Sequence, residues 1–241
     1  MYINLHFKFS NLWQIISSVQ QHCPLSSLHG QTLDVDLRIW VVEGEGVRQM
    51  QGVVAKPCLR NLFFRISHLL QIGMHPLFVI EGNPTELRSN GKKTANKVPE
   101  LETRTKGRQD SRRNFNSCLR ECCELLDLLG VPYVQSQGEA EAMCAALNAA
   151  GMVDGCITND WDAFLYGARK VYRNFNLSSK DPHVECYSMD AMEEKLSLDR
   201  SKLVAMALLL GCNNLPKGVL GVGMDKAMKL MKIYTDSGIS T

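Results

Sequence analysis

Apolar residues recur along this chain of 241 residues with two periods, and the switching between them predicts strands separated by helices. Leu59, Leu62, Phe63, Ile66, Leu69 and Leu70 fall at helical spacing, and Gly73 supplies a stop. Phe115, Cys118, Leu119, Cys122, Leu125, Leu126 and Leu129 repeat the pattern up to Gly130. The Ala-rich stretch GEAEAMCAALNAAG predicts a third helix, opened by Gly138 and closed by Gly151, and DRSKLVAMALLLG a fourth, stopped by Gly211. Shorter runs rich in β-branched and aromatic residues predict strands: TLDVDLRIWV, HPLFVIEG, VPYV, VDGCIT, KVYRNF and VECYS. Strands alternating with helices, with no internal repeat, predict an α/β fold built on a mainly parallel central sheet with helices on both faces.

In such sheets ligands bind beyond the carboxyl ends of the strands. Acidic residues gather at those ends. Asp36 falls late in LDVDL, Glu81 directly follows LFVI, and Asp160 and Asp162 follow CIT. Glu139 and Glu141 open the Ala-rich helix that follows VPYV. Taken singly, several have plainer roles: Glu139 and Glu141 suit a helix N-terminus, and Asp160 and Asp162 suit a turn. Asp36 is harder to explain away, because an uncompensated carboxylate inside an apolar strand is costly. Its neighbour Asp34 is expected to point to the opposite face as a capping or solvated residue. Six carboxylates converging on one rim would repel strongly unless cations lay among them. Hard oxygen donors in that number suit Mg²⁺ or Mn²⁺, and two such ions about 4 Å apart can activate water and stabilise the leaving oxygen of a phosphodiester.

Composition adds limits to this picture. Hydrophobic residues make up 45% of the chain, yet the longest apolar runs fall short of the roughly 20 residues of a membrane span. The amino end lacks the basic and continuous apolar regions of a secretory leader, so an intracellular protein without membrane attachment is expected. Nine cysteines, an odd number with no CxxC pair, support neither disulfides nor zinc, and most are expected to pack in the core as reduced thiols. The net charge of +2 conceals a basic segment. Between positions 88 and 113 there are nine basic residues, Arg88, Lys92, Lys93, Lys97, Arg104, Lys106, Arg108, Arg112 and Arg113, against the three acids Glu100, Glu102 and Asp110. Poor in apolar residues, that segment reads as a loop or linker, and without aromatics it suits phosphate contact rather than base stacking. Near the end, Gly218, Gly221 and Gly223 lead into a helix carrying Lys226, an entry whose backbone amides can hold a phosphate, although a plain helix connection looks similar.

The combination of VDLRIWV, FVIEG, GEAEAMCAALNAAGMVDGCITNDWDAFLYGA, VYRNF, DPHVECY and LLLGCNNLPKGVLGVG resembles the flap-endonuclease and XPG-type nucleases, and within them the Gen branch of Holliday-junction resolvases. The resemblance implies a PIN-like fold and a nuclear, structure-selective DNA endonuclease using two Mg²⁺ ions, with Mn²⁺ as a substitute. It implies catalytic, metal-holding roles for Asp36, Glu81, Glu139, Glu141, Asp160 and Asp162, and DNA-backbone contact by Gly218, Gly221, Gly223 and Lys226. The implied substrate is branched double-stranded DNA, four-way junctions or 5′ flaps, met by a homodimer on a junction. By the same resemblance, 1–98 and 114–210 are two halves of one nuclease domain around a basic linker at 99–113, and 211–241 is a truncated helix–two-turn–helix element.

The chain departs from the family pattern at several points. Asn213 stands where the family has a seventh carboxylate, and an amide lacks the charge that holds an ion. MYINLHFKFS replaces the family's usual start, Leu220 replaces a Pro, and Trp161 replaces a small residue, either crowding the rim or facing outward. Two other function classes therefore stay open: a DNA-binding relative that no longer cuts, and a small-molecule phosphohydrolase on a similar sheet.

Overall fold

The computed structural model describes residues 12–45, 54–82, 102–176, 181–212 and 217–236. They form two compact units, one of residues 28–144 and one that combines 1–27 with 145–241.

The first unit holds three parallel strands in the order β2 (Thr32–Asp36), β3 (His75–Ile80) and β4 (Tyr133–Gln135). Leu33 and Val35 of β2 and Phe78 and Val79 of β3 are buried, and the Trp40 ring meets Phe78 edge to face with centroids 5.5 Å apart. Helix α2 (Leu37–Glu45) follows β2 without a connecting turn, so the expected strand TLDVDLRIWV ends at Asp36. Leu37, Trp40 and Val41 are the buried positions of that helix, a spacing of three and four that suits helix rather than strand. Helix α3 (Pro57–Gln71) buries Cys58, Leu62, Ile66 and Leu69 as one stripe and carries Pro57 in its first turn, where the missing N–H costs nothing.

Helix α4 (Glu102–Leu129) corrects the expectation of an irregular linker at 99–113: positions 102–113 are its first turns. Arg, Lys, Glu and Gln are good helix formers, and once Cys118, Cys122 and Leu126 dock the later turns, extending the helix needs only one hydrogen bond per added residue. The basic residues from 88 to 97 lie outside the described residues, as does the start MYINLHFKFS. The expectation of reduced core thiols fails for one pair, because the sulfurs of Cys58 and Cys118 are bonded and tie α3 to α4. Two buried helical faces brought together by packing decide this, and sequence spacing cannot show it.

In the second unit β5 (Gly155–Ile157) runs parallel to β6 (Lys170–Asn176). Strand β7 (His183–Ser188) is antiparallel to β6, and β1 (Gln21–Pro24) is antiparallel to β7. Of these five strand pairs among the described residues three are parallel and two antiparallel, and the mainly parallel α/β expectation holds. The polar strand β1 had no hydrophobic pattern to announce it. Buried Asn148, at the end of α5 (Ala140–Ala149), donates to the Val153 carbonyl and accepts the backbone N–H groups of Arg169 and Lys170 at 2.7 and 3.0 Å, fastening both connections to β5 and β6. Helices α6 (Asp162–Tyr166), α7 (Met189–Leu196), α8 (Arg200–Leu210) and α9 (Met224–Asp236) complete the unit. Ser188 and Asp199 cap α7 and α8 by accepting from the N–H groups of Ala191 and Lys202. Among the described residues, no helix is long and apolar enough to cross a membrane.

Candidate functional site

Parallel pairing brings the ends of β2, β3 and β4 to one edge of the first unit, with Asp36 opposite Val79 and Ile80 opposite Gln135. Four of the six acids belong to that edge. Asp36 closes β2, and its carboxylate accepts the N–H of Arg38 at 2.8 Å, so it also caps α2. Burial pushes the Asp36 carboxyl above its ordinary value of 3.8, only partly offset by the N–H groups of Arg38 and Ile39 and by the Arg38 charge. Glu81 leaves β3 directly and is hydrogen bonded by the Arg38 guanidinium, which also lies 5.6 Å from the centre of the Phe115 ring on α4.

The next residue fixes how Glu81 meets the following acids. Gly82 donates its N–H to the Gly138 carbonyl at 2.9 Å, and the Ser136 hydroxyl donates to the same carbonyl at 2.6 Å. A Cβ on Gly82 would collide with the Ser136 carbonyl oxygen, so only glycine allows the two loops to close together. Glu139 follows that junction at once, and Glu141 lies in the first turn of α5. Asp34, expected on a capping or solvated position, is instead 0% exposed. The strand is covered on both sides, so alternation turns Asp34 into packed protein rather than into water.

Asp160 and Asp162 form the second cluster, in the loop after β5. Thr158 accepts the N–H of Asp160 at 3.0 Å, and the Asp160 carboxylate accepts the N–H of Asp162 at 3.1 Å. Asp160 is therefore a turn residue in part, the plainer of its two expected roles. Asp162 begins α6 and is 0% exposed. Trp161, the residue between them, is buried, which settles against an outward-facing ring. Helix α6 is held at its far end by Arg200, whose Nε donates to the Leu165 carbonyl at 2.8 Å.

Sequence inspection missed the residues that brace these acids. Trp13 donates its ring N–H to the Asn159 carbonyl at 3.1 Å, packs against Tyr187 at 4.9 Å between centroids, and lies under the Arg173 guanidinium at 4.0 Å. The signal was a lone Trp in a short amino-terminal helix. Arg38 was missed because a basic residue beside an acidic rim reads as surface.

The glycine-rich stretch behaves unevenly. Gly218 has φ +54°, and a Cβ there would stand 2.6 Å from the carbonyl carbon of Leu210 and 2.7 Å from the N of Gly211, so it serves the packing of its own turn. Gly221 and Gly223 have open space around them, and Lys226 donates to the Gly221 carbonyl at 2.8 Å. Leu220 is 88% exposed. Asn213 lies outside the described residues.

Two family models match the chain, the XPG N-terminal domain over residues 9–110 and the XPG I-region over 130–213. The mouse flap endonuclease GEN homolog 1 is 53% identical over 228 residues, covering 93% of this chain and 25% of its own length. A structure of human GEN1 in complex with Holliday junction DNA superposes with a TM-score of 0.79 at 52% identity, covering 92% of this chain and 55% of that one. The catalytic core of Rad2 in complex with DNA substrate gives 0.73 at 30% identity, with 94% and 68% covered. The chain thus spans about a quarter of the length of its mammalian relatives. With both regions matched in order over most of its length, the chain belongs to the XPG family of nucleases, on the branch of the GEN flap endonucleases.

Proposed function

We propose that the protein is a Mg²⁺-dependent endonuclease that cuts branched DNA, four-way junctions or 5′ flaps. The observation that carries this is the edge of the first unit, where three neighbouring parallel strands deliver Asp36, Glu81, Glu139 and Glu141. A carboxyl group pushed upward by burial, as Asp36 is, gains most from a cation nearby. The donor set is all hard oxygen, which fits Mg²⁺, with Mn²⁺ able to replace it, and does not fit soft metals.

Asp36, Glu81, Glu139 and Glu141 would hold the ions directly or through water, joined by Asp160 and Asp162. Bound there, a pair of divalent ions supplies a water of lowered pKa and charge stabilisation for the departing oxygen. The chain's own part is positional. Asp36 is fixed by its cap bonds to α2, the loop of Glu81 is locked to the loop of Glu139 through Gly82, and Asp160 is set by Thr158. Duplex backbone would meet the exposed turn at Gly221 and Gly223 and the amine of Lys226, while Gly218 shapes that turn from inside. A dimer on a four-way junction would present one rim to each of two strands, and a chromosomal substrate would place the protein in the nucleus.

The test is cleavage of junction and flap oligonucleotides with and without Mg²⁺, with Asp36→Asn as control. Cutting that needs Mg²⁺ and falls at least about a hundredfold in the variant is expected. Asn213 favours one second function, a branched-DNA binder that does not cut. Salt-sensitive binding without cleavage, with cutting gained by Asn213→Asp, would establish that function instead.

A further inference from the structure

We infer that the second unit carries a separate site for a borderline transition-metal ion of the Zn²⁺ class, formed by His22, Asp181 and His183. Each of the three offers a ligand atom, and these atoms all lie within 4.8 Å of one another. None of the three belongs to the carboxylate set, and their chemistry differs from it: two imidazoles and one carboxylate suit Zn²⁺, Co²⁺ or Ni²⁺, whereas Mg²⁺ prefers oxygen alone.

The backbone builds this cluster. Strand β1 pairs with β7 so that His22 stands opposite Glu185 and Pro24 opposite His183. Residues two apart on each strand share a face, which makes His22 and His183 diagonal neighbours. Their rings approach to 4.0 Å between centroids at an interplanar angle of 32°. The Asp181 carboxylate oxygen Oδ2 lies 3.0 Å from His183 Nδ1 and 3.9 Å from His22 Nε2, so one oxygen stands between two imidazole nitrogens. His183 Nδ1 is also 2.9 Å from the Asp181 carbonyl oxygen and 3.4 Å from Asn176 Nδ2, contacts that hold the ring in place beside Asp181. The Pro182 carbonyl accepts the N–H of Leu25 at 3.1 Å, fastening the strand carrying His22 to the segment carrying the other two ligands.

The site is open to solvent, with His22 and Asp181 more than half exposed and His183 at 21%. An ion can therefore enter without unfolding, and water can complete a tetrahedral set. Because β1 stands at the end of its row of strands, an ion held by all three residues would pin that strand to β7.

The experiment titrates the metal-stripped full chain with CoCl₂ and then ZnCl₂ in excess Mg²⁺, reading visible absorption and thermal midpoint. One Co²⁺ per chain is expected, with a band pattern of nitrogen and oxygen ligands, displacement by Zn²⁺ and a raised midpoint. His22→Ala and His183→Ala should each weaken binding by more than the roughly 10–100-fold that follows loss of an outer-shell partner. Asp181→Ala, at an exposed position, tests the same site should either histidine variant fold poorly. Asp36→Asn should bind Zn²⁺ as the unaltered chain does. Absence of saturable uptake, uptake unchanged in these His22, His183 and Asp181 variants, or a thiolate-to-cobalt band marking cysteine ligands, would overturn the inference.

Discussion

Arg38 is the residue whose role is least visible from its type. Its guanidinium holds Glu81, its backbone N–H is held by Asp36, and its side chain reaches the Phe115 ring. It therefore occupies the charge that an arriving cation would take. Arg38→Ala should tighten Mn²⁺ binding, followed by the paramagnetic signal of free ion, by up to about fivefold, which corresponds to the roughly 0.2–1 kcal/mol of an exposed pair. Weaker Mn²⁺ binding in the variant would show that Arg38 orders the rim rather than competes for it. Asp36 makes a second residue-scale prediction. Because burial raises its pKa, the folded chain binds this proton more tightly than the unfolded chain does. Without divalent cations its contribution to stability therefore declines as pH rises from 3.8 through the raised value. At neutral pH in chelator, Asp36→Asn should melt above the unaltered protein, and added Mg²⁺ should shrink or reverse the gap. A variant that melts lower in chelator would contradict this.

At the scale of elements, the turn before α9 separates two glycines that look alike in sequence. Gly218→Ala places a Cβ against the backbone of Leu210 and Gly211 at a positive φ and should cost about 1–3 kcal/mol or more in chemical denaturation. Gly221→Ala meets open space and carries only the cost of its φ of +76°, roughly 1 kcal/mol, so any larger loss of DNA affinity there belongs to the DNA surface. Equal destabilisation by both would refute this division. Helix periodicity marked α3 and the later turns of α4, because each has one stripe facing a core, while composition and bounding glycines marked α5 and α8. Apolar patterning misled on Leu37–Val41, where the four apolar residues Leu37, Ile39, Trp40 and Val41 out of context look like strand, and on the first turns of α4, whose polar sequence has no stripe to detect.

For the molecule as a whole, the cysteines supply the sharpest correction. Thiol titration of the denatured chain should count seven groups before reduction and nine after, if Cys58 and Cys118 are joined as in the structure. The bond closes a loop with a sequence separation of 60, so reduction should lower stability by about 4 kcal/mol in the chain-entropy account. Nine reactive thiols at the outset would remove the crosslink and leave two buried cysteines packed face to face. Other whole-chain features were legible in part. Asp36 and Glu81 stood out because each followed an apolar run, and parallel pairing brought them to one edge. Glu139 and Glu141 gained their meaning only through the Gly82 to Gly138 junction, which no local pattern encodes.

Local sequence determined which segments would be strands and helices wherever an apolar stripe existed, and it determined that acids would follow the strand ends, because periodicity and chain order are properties of neighbouring residues. Tertiary structure alone decided that Asp34 is buried, that Trp13 braces the Asn159 loop, that Arg38 answers Glu81, and that His22 faces His183. Each of these joins residues far apart in the chain or depends on what covers a face, and burial and electrostatics act through space, where sequence separation has no bearing.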